Sequence, residues 1–251
     1  MGLIKTAGIV TKEIKYGETG KIVTLITRDL GKVSAIASNV RTSKSRMLAG
    51  LQLFAYSEFV LFKGKGKKGL YHLNEVTMAE SFQNIRTSLE SLAYASYFAE
   101  IANHVSPEES PDEELLRLLL NTLFVLDRQL APPEKIKTVY EWRMSTITGY
   151  APLLDSCSGC GAKESLSHLN PSDGRIMCSQ CGTSHSSAIP LSSGMVNIIS
   201  YISGADSKQI FSFDSNDDTI AYLSRVSEIY ISTQLEHEFQ TLDYLKKVTS
   251  L

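Results

Sequence analysis

The sequence predicts a β barrel followed by a helical domain that carries an inserted four-cysteine ribbon. Three observations predict it. The first eighty of 251 residues hold five short runs rich in Val, Ile, Thr and aromatic residues, each bounded by turn residues. After Glu80 the apolar period changes to that of helices. All four cysteines lie between Cys157 and Cys181, as Cys157-Ser-Gly-Cys160, seventeen residues, then Cys178-Ser-Gln-Cys181.

The five runs are residues 3–14, 20–27, 31–38, 55–63 and 69–78. Thr27-Arg-Asp-Leu-Gly31 and the lysine-rich segment from Lys63 to Gly69 read as hairpin connections. Between the third and fourth runs, residues 43–50 have short helical character. Five strands with a helix after the third is the layout of a small, partly open barrel of the OB type, although an SH3-like barrel gives much the same strand count. Tyr16, Phe54, Tyr56, Phe59, Phe62 and Tyr71 have the chemistry to stack on bases, but most of them should fill the barrel.

Helical signals follow. Thr87-Ser-Leu-Glu90 has the form of a capping box, and Leu89, Leu92, Ala93, Tyr97 and Ile101 then recur at helical spacing to about His104. The segment from Pro107 to Glu114 breaks this helix and sets acidic residues in the first turn of the next, where they suit the positive end of its dipole. Residues 115–130 are apolar nearly all round, as in a helix buried among others, and Pro132-Pro133 ends them. A third helix over residues 134–148 carries the only tryptophan, Trp142, as a core residue, with Gly149 just past its end. Helical character returns at residues 193–203 and from 217 to 245 with an interruption. The expected domains are residues 1–80 and 81–251, the ribbon being inserted at about 153–187.

Paired C-x-x-C elements at this spacing are a Cys₄ zinc pattern, so Cys157, Cys160, Cys178 and Cys181 are the predicted ligands of one structural Zn²⁺. Each pair is followed at once by glycine, Gly161 and Gly182, where a positive φ would let the chain turn back towards the sulfurs. The spacer contains Asp173-Gly174, a hairpin signature, which fits a zinc ribbon. A redox dithiol needs only one such pair, and a chain that begins without a signal peptide gives no reason to expect disulfides. Four cysteines close the shell that a catalytic zinc leaves open. His168 and His185 are near enough in sequence to be alternative ligands, but read better as loop histidines.

Charge is divided along the chain. Residues 1–80 carry thirteen Lys/Arg against six Asp/Glu, a net of +7, while the whole chain has a net charge of −2. Such asymmetry points the first part towards a polyanion. The predicted nucleic-acid-binding residues are Arg41, Lys44, Arg46, Lys63, Lys65, Lys67 and Lys68, with Arg28 and Lys32 contributing less. The bland reading of the same lysines is solubility and protection of sheet edges. Neither glycine-rich segment, 17–21 or 64–69, matches the phosphate-loop pattern G-x-x-x-x-G-K-[ST], and no nucleophile sits beside a base, so no enzyme is expected. The longest apolar stretch, residues 115–130, is too short and too polar to span a membrane, and the expected location is cytoplasmic.

The ordered set Tyr16-Gly-Glu18, Thr27 with Gly31-Lys32, Arg41-x-x-Lys44-Ser-Arg46, Gly50-Leu-Gln-Leu-Phe54, Gly149-Tyr-x-Pro152 and both C-x-x-C-G elements resembles the bacterial RecO family of DNA repair and recombination proteins, over essentially the whole length. That resemblance implies an OB fold, a zinc-bearing helical domain, and mediation rather than catalysis. It implies binding of single- and double-stranded DNA, annealing of complementary strands, and work with RecR to load RecA on DNA coated by single-strand binding protein, at the nucleoid. A zinc-ribbon scaffold that binds only proteins is the alternative, separated from the first by salt-dependent DNA binding.

Overall fold

The structure is a computed structural model that describes residues 2–38, 40, 47–64 and 70–250. Strands β1 (Leu3–Tyr16), β2 (Gly20–Thr27), β3 (Gly31–Ala37), β4 (Tyr56–Lys63) and β5 (Leu70–Glu80) form a closed barrel in the order β1-β2-β3-β5-β4, with β4 also paired to β1. Every neighbouring pair is antiparallel except β3 and β5, which run parallel. This is the five-stranded OB-like barrel that the strand count suggests. Of the short helix expected over residues 43–50, residues 43–46 lie outside the described residues, and a 3₁₀ turn is formed at Ala49–Leu51.

Alternation along the strands sends Val10, Val23, Leu25, Val33, Phe59, Leu61 and Tyr71 into the barrel's core. Phe59 and Tyr71 are therefore buried, Phe54 is buried in the connection ahead of β4, and Tyr16 is the one of the six noted aromatics that stands out in solvent, at 51% exposure. A bulge between Val10 and Lys12 re-aims Thr11 out of the β1–β2 ladder, so that its hydroxyl donates to Asn103 Oδ1 at 2.7 Å.

Helices α1 (Leu89–Val105), α2 (Glu113–Asp127), α3 (Pro133–Ile147), α4 (Ser179–Thr183), α5 (Ser193–Gly204), α6 (Asp217–Gln234) and α7 (Gln240–Thr249) follow, with strands β6 (Leu166–Asn170), β7 (Arg175–Cys178) and β8 (Ile189–Pro190) between α3 and α5. The N-cap of α1 is Ser88, which accepts from Ser91 N, and not Thr87. Thr87 instead closes the preceding 3₁₀ turn through its hydroxyl to Asn84 O, 2.8 Å. Asp112 caps α2, and that helix stops at Asp127, short of the expected residue 130, as Gln129 takes a left-handed φ of +52°. Pro132-Pro133 has a different place from the expected one. Pro133 opens α3 at its first position, where a missing N–H costs nothing. At the far end, Tyr150 N donates to Ser145 O and Gly149 N to Thr146 O, with Gly149 at φ +88°, a Schellman closure.

The chain divides into two compact units. One comprises Met1–Arg128 with Thr241–Leu251, the other Gln129–Gln240. In the first, α7 returns to α1, where Thr241 N and its hydroxyl both donate to the Glu100 carboxylate. In the second, α3 packs on α6 around Trp142, fully buried against Tyr230 at 4.9 Å between ring centroids. The same interface buries an ion pair: Lys137 Nζ lies 3.0 Å from Glu141 and is also bonded to Ser224 O, while Ser227 donates to Glu141 at 2.6 Å. A charged pair kept in such a place has its remaining hydrogen-bonding capacity met by neighbours, as burial demands.

Candidate metal centre and nucleic-acid face

The ribbon is built from two knuckles and a hairpin. In the first knuckle, Cys157 N donates to Ala162 O at 2.7 Å and Gly161 N to Cys157 O at 2.9 Å, with Gly161 at φ +78°. The second knuckle begins where β7 ends, at Cys178, and places Cys181 one turn later in α4. Gly182 differs from the expected reversal. It lies inside α4 without a positive φ, and a Cβ built on it would sit 2.2 Å from His168 Cγ. Its lack of a side chain makes room for the histidine ring.

Strands β6 and β7 pair through a four-residue connection, Asn170 facing Arg175. Gly174 N donates to Asn170 O at 3.0 Å with Gly174 at φ +70°, and Asn170 Oδ1 and Asp173 Oδ1 accept from Ser172 N and Arg175 N. Asp-Gly therefore does close a hairpin. Helix α6 clasps its tip. Gln234 donates to Pro171 O at 2.6 Å, and Tyr230 donates to Tyr150 O at 2.9 Å while its hydroxyl stands 2.8 Å from the Cβ that Gly174 lacks.

These elements bring all four Sγ atoms within 4.8 Å of one another, with Cys160 and Cys178 at 3.8 Å. For Zn–S bonds of about 2.3 Å, the edge of a tetrahedron is about 3.8 Å, so the donor set matches a Cys₄ ion in number, chemistry and size. Among the described residues, the cluster is made of cysteines alone. His168 pairs with Ser167 Oγ, and His185 N closes a turn on Gly182 O. The Cys157 thiol is pulled down to about 6, chiefly by the backbone amide of Cys178, whereas hydrogen bonds that the Cys181 thiol donates to the Cys178, Cys157 and Cys160 sulfurs push it up to about 12. Gathering four sulfurs in one place opposes their joint ionisation, a charge that a bound cation would compensate.

Of the predicted nucleic-acid residues, Arg28, Lys32 and Lys63 are described, whereas Arg41, Lys44, Arg46, Lys65, Lys67 and Lys68 lie outside the described residues. Arg28 is exposed beside Asp29, at 3.4 Å. Lys32 keeps 17% of its side-chain exposure, and its ammonium donates to Asn103 O at 2.9 Å and faces Glu108 at 3.4 Å. Lys63, half exposed at the end of β4, pairs with Glu109 at 2.7 Å. Glu113 and Glu114 do occupy the first turn of α2, but Glu108 and Glu109 lie against barrel lysines instead, a pairing across long sequence separation that no local pattern signals. Among the described residues, no helix is long and apolar enough to cross a membrane.

The chain is similar to known proteins throughout. Residues 1–82 match the family model "Recombination protein O N terminal" and residues 86–243 match "Recombination protein O C terminal". Proteins named DNA repair protein RecO are similar to it. That of Acetivibrio thermocellus is 38% identical, with 98% of this chain and 97% of that protein aligned. The one from Alkaliphilus metalliredigens is 34% identical across 98% of this chain and its own full length. A third, from Dehalococcoides mccartyi, is 33% identical over 98% of this chain and 96% of its own. With the barrel, the helical part and the cysteine cluster in place, these matches show that the chain belongs to the RecO family, whose role is in DNA repair and recombination.

Proposed function

We propose that this protein is a non-enzymatic recombination mediator that binds single- and double-stranded DNA through its barrel and anneals complementary strands without ATP. In this reading it works in the cytoplasm at the nucleoid and, with RecR, helps to load RecA on strands coated by single-strand binding protein. One Zn²⁺ per chain, held by Cys157, Cys160, Cys178 and Cys181, keeps the ribbon folded.

The observation that carries the reading is the net +7 of the eighty residues that form the closed OB-like barrel, in a chain whose family acts in DNA repair. Lysines and arginines in the loops of such a barrel track phosphates and leave base identity almost unread. Annealing then needs only that phosphate repulsion be screened, because base pairing supplies the driving force. The donor geometry of the ribbon supports the metal assignment independently of the DNA reading.

The test uses fluorescent complementary strands coated with single-strand binding protein and no nucleotide. The full chain is expected to anneal them. Lys65→Glu/Lys67→Glu/Lys68→Glu is expected to weaken binding to every sequence alike. If about five phosphates are neutralised, log affinity for single strands falls against log salt with a slope of about −3.5. No binding and no annealing by the wild type would overturn the mediator reading in favour of a scaffold that meets only proteins.

A further inference from the structure

The acidic segment ahead of α2 is fastened to the barrel by its backbone. Lys32 and Glu108 form a parallel bridge, and Glu109 N donates to Lys32 O at 3.0 Å. A Cβ on Gly31 would lie 2.1 Å from Ser110 O, so this approach is open only because residue 31 is glycine. Glu109 itself takes a left-handed φ of +52°, uncommon for a residue with a side chain. The segment is thus held at a fixed place by contacts that do not involve the Glu109 carboxylate.

That carboxylate meets two donors from the barrel. Lys63 and Tyr71 are register partners on β4 and β5, and the Lys63 ammonium stands 5.6 Å from the Tyr71 ring centroid. Lys63 Nζ at 2.7 Å and Tyr71 Oη at 3.0 Å converge on the same oxygen, Glu109 Oε1. An ammonium and a hydroxyl aimed at one anionic oxygen is the donor set that a nucleic-acid phosphate accepts. Burial and the neighbouring Glu109 push the Tyr71 hydroxyl above its ordinary range, so it stays a donor at neutral pH.

We propose that Lys63 and Tyr71 form a subsite for a DNA backbone phosphate, and that Glu109 fills this subsite in the unbound protein as an internal phosphate surrogate. The inference rests on the reading of the barrel as the DNA-binding element. Exchange needs little movement. With the backbone pinned at Lys32 and Gly31, only the Glu109 side chain has to turn, and the pair is exposed on both sides, 51% for Lys63 and 38% for Glu109. An exposed ion pair is weak, and a strand held at several other phosphates displaces it readily. Lys32 belongs to the fastening and stays there: its ammonium is spent on Asn103 and Glu108. The surrogate therefore sets a threshold. Isolated anions do not dislodge it, whereas a strand already held through other phosphates does.

The test measures binding of a fluorescein-labelled oligothymidylate by the full chain across a salt series. Glu109→Gln keeps the size of the side chain and removes its charge. It should tighten binding by about fivefold, the worth of one exposed pair, and steepen the salt slope by about 0.7, because Lys63 is then no longer neutralised in the free protein. Lys63→Gln should change the wild type little and abolish the gain in the Glu109→Gln background. Tyr71→Phe should take part of that gain away. Glu109→Asp, better suited to a left-handed backbone and too short to reach both donors, should shift affinity in the same direction and guards against a folding effect of the glutamine. Wild-type binding with unchanged affinity and slope in Glu109→Gln and Glu109→Asp overturns the surrogate and leaves the DNA reading standing. No DNA binding by any of these proteins overturns both.

Discussion

Gly161 and Gly182 occupy the same place in the two Cys-x-x-Cys-Gly knuckles, yet the fold uses them for opposite reasons. At Gly161 the backbone is left-handed, φ +78°, and a Cβ would meet nothing within 4 Å. At Gly182 the backbone is helical and the space is full, with the His168 ring 2.2 Å from the missing Cβ. The first glycine is needed for conformation and the second for room. A motif written as letters hides this, because both demands select the same residue.

The largest expected effect tests what the knuckles share. Cys178→Ser removes a ligand from the common site. It should abolish stoichiometric zinc and unfold the ribbon, since structural zinc is worth about 10 to 16 kcal/mol in small peptides. Elemental analysis and hydrogen exchange over residues 153–187 check it; one zinc retained and unchanged protection would break the shared-site account. Chelation of the wild type should give the same exchange pattern.

Next come the glycines themselves. Gly182→Ala should cost about 1 to 3 kcal/mol through overpacking against the ring, read from the denaturation midpoint. His168→Ala should return much of that loss in the double variant, the coupling expected of a steric clash between the two positions. Gly161→Ala should cost about 1 to 2 kcal/mol from left-handed strain, with no rescue by His168→Ala and a smaller loss for Gly161→Asn. Equal rescue at both positions would erase the distinction. The smallest effect is that of Tyr230→Phe, which removes the hydrogen bond to Tyr150 O and should cost about 1 kcal/mol without changing metal content.

Much of the architecture was legible because local signals agree with the fold. Strand β2 spans the expected residues 20–27, the turns at Thr27–Gly31 and Asp173–Gly174 lie where turn residues cluster, and Trp142 is core. The cysteine cluster could be read because ligand spacing is itself a statement about geometry. Legibility failed where two residues satisfy one template. Thr87 and Ser88 both offer a hydroxyl ahead of the apolar repeat, and only the three-dimensional turn decides that Ser88 caps α1. It failed again where partners are remote. Lys137 and Glu141 are spaced like a solvent-exposed helix pair, but α6 covers them; Glu109 reaches Lys63 across forty-six positions. Neither arrangement leaves a periodic trace in the chain.

The return of α7 to α1 has a consequence for how the protein comes into being on the ribosome. Glu100 receives its two donors from Thr241, which is translated after the whole of the second unit, so the barrel's unit is begun before that unit and finished after it. Roughly a hundred residues of the other unit must be made in between, which at about 5 to 20 residues per second is an interval of several seconds. During that interval the nascent barrel and its first two helices lack their final helix, and any chain that ends early stays in that unfinished state. Completion of the first unit thereby reports that the whole of the second has been made, and a stop before Thr241 leaves a protein whose barrel sequence is intact and whose barrel unit lacks α7.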